Sequence, residues 1–221
     1  MAKNIVITGA NRGIGLAFTQ HYLAKGDNVY ALCRQASEGL EKSGATIVAG
    51  IDVTDSESLA KAKEALFSVK IDLLINNAGI LHAEALGALN YAEMLQQFEV
   101  NALGPLKVTE ALQDLISEGG KVALITSRMG SVADNGSGGY YGYRMSKAAL
   151  NAGGKSLAID LQPKNIAVAI LHPGFVQTEM VGNAGDISAS TAAERLAQRI
   201  EALTIETTGT FWHSNGEVLP W

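Results

Sequence analysis

A chain of 221 residues, 47% of them hydrophobic, carries enough apolar material for one α/β domain with a sizeable core. A formal net charge of −5, with no long basic run, argues against a general nucleic-acid binder, which needs cations to neutralise phosphates. The single cysteine, Cys33, has no intrachain disulfide partner, and no apolar stretch approaches the ~20 residues of a membrane-spanning helix, so a cytoplasmic protein with no membrane or nucleic-acid partner is expected.

The opening "MAKNIVITGA" shows no targeting pattern and runs directly into a strand candidate at 4–8. Helical periodicity follows at 13–26, a strand at 28–33, a strand at 46–51 and a helix at 56–69. The run "IDLLIN" at 71–76 reads as a strand. The patterns "YAEMLQQFEV" and "LKVTEALQDLI" read as helix over 91–100 and 106–116. Strands are expected again at 121–126, 166–171 and 209–213, separated by helices over 146–161 and 190–203. The strands are apolar on both faces rather than alternating, as in a parallel sheet covered by helices. Strand and helix in alternation predict a single doubly wound Rossmann-type domain over 1–221 with a mainly parallel seven-stranded sheet. The least regular segments are 128–142 and 173–188. Ligands of such sheets bind beyond the carboxyl ends of the strands.

The first such loop is "TGANRGIG", Thr8 to Gly15. Gly9, Gly13 and Gly15 permit a tight turn and a close backbone approach. The helix that follows presents unpaired N–H groups and a positive dipole end, so a pyrophosphate is the natural occupant. A dinucleotide site that prefers the 2′-hydroxyl carries an acid after the second strand. Here that strand ends in "CRQ", and no acid follows until Glu38. Arg34, with help from Arg12, can instead pair with a 2′-phosphate through the planar guanidinium fork. NADP(H) is therefore expected in preference to NAD(H).

In "YGYRMSK", Tyr143 and Lys147 lie four residues apart at the mouth of a helix and share one face. A cation there favours the phenolate of a group with a free pKa near 10. No His/Cys cluster has ligand spacing, so no metal is expected. His172 is left without a role.

The ordered motifs together resemble the short-chain dehydrogenase/reductase family over essentially the whole chain. "TGANRGIG" is similar to its cofactor loop, so Gly9, Asn11, Arg12, Gly13, Ile14 and Gly15 are expected around the pyrophosphate. "DVTD", with Asp52 and Val53, resembles the adenine-contacting segment. "NNAG" is similar to the motif after the fourth strand, which implies that Asn77, Ala78 and Gly79 border the cofactor. Pro173, Gly174, Val176 and Thr178 in "HPGFVQT" resemble the nicotinamide-side segment. The resemblance implies a catalytic set of Asn101, Ser127, Tyr143 and Lys147. Tyr143 is then the proton donor in reduction, with its pKa lowered by Lys147, and Ser127 bonds the substrate oxygen. Lys147 also holds the nicotinamide ribose, and Asn101 holds a water in a proton relay. Ser127 is preferred to Ser131 because it directly follows the run "VALIT".

Within the family, "RMSKAAL" and "GEVLPW" resemble the sniffer-like and C-factor-like carbonyl-reductase branch. The expected function is NADPH-dependent interconversion of a carbonyl and an alcohol. The alternative is a cofactor-binding signalling or regulatory protein of C-factor type. The short segment "VQTEMVGNAGDIS" implies a small lid, with Phe175 and Met180 as wall or core residues. The region 91–117 and the small residues of "AALNAGG" suggest a homodimer surface, or else packing against the chain's own sheet.

Overall fold

A computed structural model describes residues 2–221. Seven strands form one sheet: β1 (Asn4–Thr8), β2 (Asn28–Leu32), β3 (Thr46–Val48), β4 (Ile71–Asn76), β5 (Ile116–Ile125), β6 (Ala167–His172) and β7 (Phe211–His213). Their spatial order is β3-β2-β1-β4-β5-β6-β7, and all six neighbouring pairs are parallel. The reversal of order between β1 and β4 opens a crevice at the carboxyl edge, where ligands of such sheets bind.

Both faces of the sheet are buried. One core joins Val6, Leu74, Leu124 and Ile170 to Leu59 and Leu66 of α3 (Ser56–Ala65) and its flank, Val108 and Leu112 of α5 (Gly104–Leu112), and Leu150 and Leu161 of α6 (Tyr141–Leu161). The opposite core joins Ile7, Ile75, Ala123 and Leu171 to Phe18 and Tyr22 of α1 (Gly13–Ala24) and Leu196 and Ile200 of α7 (Ala189–Ala202). Successive residues of one strand thus serve opposite cores, which explains why the strands lack polar alternation.

Some boundaries differ from expectation. A single-turn helix, α2 (Glu38–Glu41), is added after β2, capped by Ser37. β3 ends at Val48, while β5 begins at Ile116, ahead of a register shift against β4. The helical region from residue 91 divides into α4 (Tyr91–Phe98), a π-helical turn (Glu99–Leu103) and α5. α6 begins at Tyr141, five residues before the periodic signal at Ser146, because glycine at 142 masks the pattern.

Asp55 caps α3, Asn90 caps α4 and Ser188 caps α7, each side chain accepting from first-turn N–H groups. α1 and α6 have no side-chain bond from their N-cap residues, Arg12 and Tyr140. Both begin at the carboxyl edge of the sheet. The small residues of α6 pack inward: a Cβ on Gly154 would meet Leu124 Cδ1 at 2.7 Å, and one on Gly153 would meet Leu106 at 3.3 Å.

Candidate active site

The glycine loop is shaped by close approach. Gly9 has φ +64° and Gly13 φ +53°, a left-handed backbone that suits glycine. A Cβ on Gly15 would lie 2.2 Å from the Gly9 carbonyl oxygen and 2.6 Å from Asn77 Nδ2. Thr8 and Asn77 brace this loop. The Thr8 hydroxyl accepts from the Asn77 and Ala78 N–H groups at 3.0 and 3.1 Å, and Asn77 Nδ2 donates to the Thr8 and Gly9 carbonyls at 3.1 and 3.2 Å. Asn77 therefore holds the two loops together, a task the sequence motif does not announce. Asn11 contributes its carbonyl, which accepts from the Ser37 hydroxyl at 2.5 Å. Ile14 packs against the α1-side core.

The residues fit a bound dinucleotide. A glycine cradle that a Cβ would fill leads into a helix whose first turn has neither a side-chain cap nor an acid, leaving N–H donors for an anion. Arg34 is exposed just beyond β2 and has no ion-pair partner among the described residues, so its fork is free for a phosphate. Arg12 is occupied: it pairs with Glu179 at 2.8 Å, tying the glycine loop to the segment after β6. Glu38 of α2 pairs with Lys42 at the C-cap of that helix. Asp52 accepts from Thr54 N and Oγ1 at 2.9 and 2.7 Å, bonds that hold its carboxyl below the usual carboxylate range. The Val53 side chain is buried against Gly104.

After β6, Gly174 has φ +97°, and the Pro173 carbonyl accepts from the Ser214 hydroxyl at 2.9 Å. Val176 is buried and forms a bridge with Ile187. Thr178 stands over the glycine loop: a Cβ on Gly13 would meet its methyl at 3.4 Å. Phe175 and Met180 are 49% and 43% exposed, which removes the core reading for both.

The catalytic candidates converge beyond β4 and β5. Asn101, Ser127, Tyr143 and Lys147 are all buried. Ser127 follows β5; its oxygen accepts from Met129 N at 3.1 Å, and its hydroxyl is near enough to the Tyr143 phenol to favour the ionised form. Ser131 is occupied elsewhere, donating to the Trp221 backbone oxygen at 3.1 Å and accepting from Asp134 N. Lys147 Nζ lies 5.8 Å from the Tyr143 ring centroid and donates to the Ile125 carbonyl at 2.9 Å. Asn101 sits in the π-helical turn, a local irregularity that often marks functional positions. It exchanges two 2.8 Å bonds with the Ile80 backbone and donates to Ser146 Oγ at 3.0 Å. Gly79 keeps Asn101 and Lys147 accessible to one another: a Cβ there would lie 3.1 Å from Asn101 Oδ1 and 3.7 Å from Lys147 Nζ.

The electrostatics differ from the expectation that Lys147 lowers the Tyr143 pKa. Burial dominates, pushing Tyr143 up to about 12 against the opposing pull of the nearby Ser127 side chain. The same burial pushes Lys147 down to about 8. Desolvation sets the direction of both shifts when the protein alone surrounds the two groups. His172, also buried, is pushed down to about 3 by desolvation and by neighbouring His213, whose ring it meets edge-on at 4.8 Å.

Comparison with known proteins agrees with this geometry. A family model described as short chain dehydrogenase matches residues 3–189. The chain is 38% identical over 225 residues to the 1-hydroxy-2-glutathionyl-2-methyl-3-butene dehydrogenase of Rhodococcus sp. (strain AD45), covering 99% of this chain and 100% of that protein. It is 44% identical over 154 residues to the C-signal protein of Myxococcus xanthus, covering 68% and 93%. The NADPH-bound carbonyl reductase from chicken fatty liver superposes with a TM-score of 0.91 at 29% identity, covering 100% and 99% of the two chains. With its all-parallel sheet, its glycine loop and this match over most of its length, the chain belongs to the short-chain dehydrogenase family.

Proposed function

We propose that this chain is an NADPH-dependent carbonyl reductase that interconverts a small-molecule carbonyl and its alcohol. The observation that carries the reading is the burial together of Ser127, Tyr143 and Lys147 beyond β5, with Lys147 Nζ 5.8 Å from the Tyr143 ring centroid. A bound nicotinamide supplies the hydride, which no side chain can.

The protein's own share is to polarise the carbonyl oxygen and to deliver a proton to it. Ser127 donates to that oxygen and stabilises the charge developing there. Tyr143, protonated across the physiological range, gives up its proton as general acid. Lys147 keeps an ammonium near the phenolate that results, and Asn101 presents its carboxamide oxygen beside Lys147 for a water through which the proton is replaced. The open first turn of α1 suits the pyrophosphate of either dinucleotide, and Arg34, reading the 2′-phosphate, supports NADP(H) over NAD(H). The likeness to a dehydrogenase of a glutathionyl alcohol and to an NADPH-bound carbonyl reductase supports the same reaction class.

The test is NADPH oxidation against a panel of aldehydes, ketones and diketones, with Tyr143→Phe beside the wild type. Turnover lost by about 10²–10⁴-fold in the variant, with NADPH still bound, is expected for removal of a general acid. Equal turnover in the two proteins defeats the mechanism. The likeness to the C-signal protein favours a second reading, a cofactor-binding signalling protein. Tight NADPH binding with no turnover across the panel selects it.

A further inference from the structure

Glu84 and Lys147 are the two Asp, Glu, Lys or Arg residues buried among the described residues, with 5% and 4% exposure. The proposed reaction uses Lys147 and leaves Glu84 without a purpose. A buried carboxyl group is costly unless its oxygens find donors. Glu84 lies in the segment between β4 and α4, and its donors come from two other elements. Oε1 accepts from Gln97 Nε2 of α4 at 2.5 Å, and Oε2 accepts from the Gly142 N–H in the first turn of α6 at 3.2 Å. The Glu84 carbonyl also accepts from Tyr140 N at 2.9 Å.

We propose that Glu84 is a positioning residue: a cap supplied from 58 residues away that fixes the first turn of the helix carrying Tyr143 and Lys147. The inference rests on the reductase reading for its kinetic consequence, but its structural basis is independent of it.

Three observations converge on this assignment. The local N-cap, Tyr140, makes no side-chain bond and sits at φ +52°, a left-handed conformation unfavourable for a bulky residue. Glu84 holds that residue by its carbonyl and the next turn by its carboxyl group, so the strained entry into α6 is imposed from outside the helix. Gly142 is shaped to receive it: a Cβ there would lie 2.8 Å from Glu84 Oε1 and 2.6 Å from Gln97 Nε2. The arrangement is also repeated one turn along. Gln97 and Asn101 are four residues apart; Gln97 Oε1 accepts from His82 N at 2.9 Å, as Asn101 Oδ1 accepts from Ile80 N. Each carboxamide then reaches α6, Asn101 directly at Ser146 and Gln97 through Glu84 at Gly142. Tyr143 is held between these two rungs.

The experiment combines steady-state carbonyl reduction with amide hydrogen exchange of residues 140–146 in the full chain. For Glu84→Ala, kcat is expected to fall about 10–100-fold, with substrate KM and NADPH Kd changed less than about 3-fold, as befits a misplaced acid in an intact cofactor site. Exchange at residues 140–144 should accelerate about tenfold or more through local opening of the first turn. Glu84→Gln keeps one acceptor but sets an amide NH₂ against that of Gln97, so it should lose activity too, and it serves where Glu84→Ala does not fold. The exchange Glu84→Gln with Gln97→Glu restores all three side-chain bonds, with only the one between positions 84 and 97 reversed while the His82 and Gly142 N–H groups still donate, and should recover kcat to within about 3-fold of wild type. Wild-type kcat and exchange in Glu84→Ala overturn the proposal, as does a double variant no better than Glu84→Gln alone. The exchange arm needs no substrate, so loss of the reductase reading leaves it decisive.

Discussion

Lys147 Nζ donates to the Ile125 carbonyl at 2.9 Å while standing 5.8 Å from the Tyr143 ring centroid, so the strand that delivers Ser127 also anchors the ammonium beneath the phenol. That single bond does not offset the cost of burying the charge, as the depressed Lys147 pKa of about 8 records. Lys147→Met should therefore separate function from stability. NADPH affinity and turnover are expected to fall, whereas the unfolding free energy at pH 7 should stay level or rise by up to about 3 kcal/mol, the energetic equivalent of the shift. Denaturant melts beside kinetic constants check this; a variant that keeps its rate, or that loses several kcal/mol, contradicts it.

Lys147 and His172 also set opposite limbs of a pH–stability curve. Lys147 has a folded pKa of about 8 against an ordinary 10.5, so between these values the unfolded chain binds more protons and stability rises with pH. His172 falls from 6.5 to about 3, so its contribution is present above pH 6.5 and drains away as pH falls towards 3. Its Nδ1 has no hydrogen-bond partner to soften the charging. His172→Asn should flatten the acid limb between pH 6 and pH 4 by a few kcal/mol, and Lys147→Met should flatten the alkaline rise. Urea melts across pH measure both, and unchanged limbs would show that neither group governs them.

Cofactor choice should respond to Arg34 and Glu179 in opposite senses. Arg34→Ala is expected to weaken NADPH binding by about 1.5–3 kcal/mol, the range of a hydrogen bond to a charged group, and to leave NADH unchanged. Glu179→Gln releases Arg12 from an ion pair that is largely exposed, so NADPH affinity should improve by no more than about 1 kcal/mol. Titration of both cofactors against each variant decides the matter. Parallel losses for NADH and NADPH in Arg34→Ala would remove that residue from phosphate recognition.

The glycine loop should tolerate no added carbon at its tightest point. Gly15→Ala drives a Cβ to 2.2 Å from the Gly9 oxygen. The resulting shift should cost about 1–3 kcal/mol or more and disturb the anion cradle, lowering Tm and NADPH affinity together. Gly26→Ala, where a Cβ meets nothing within 4 Å but φ is +83°, should lower Tm through backbone strain alone and leave affinity intact. Equal effects of the two substitutions on NADPH binding would show that space at Gly15 is not what the cofactor site requires.

Much of this molecule was legible in its sequence because the signals are local. Unbroken apolar runs marked the strands of a doubly covered sheet, and glycine spacing after β1 marked the cradle. Tyr143 and Lys147 share a helix face whatever surrounds them, and the ordered motifs brought Asn101 and Ser127 forward as candidates, which the fold buries beside them. Tertiary structure alone decided what depends on contact across many residues. It paired Arg12 with Glu179, turned Asn77 into a brace between two loops, and interrupted the helical region from residue 91 with a π turn at Asn101. It reversed the expected direction of the Tyr143 pKa, because desolvation is a property of the packed surroundings and not of a four-residue spacing. Glu84 carried no periodic or motif signal at all; only the fold, by bringing the segment after β4 against the start of α6, gave its carboxyl group a helix to cap.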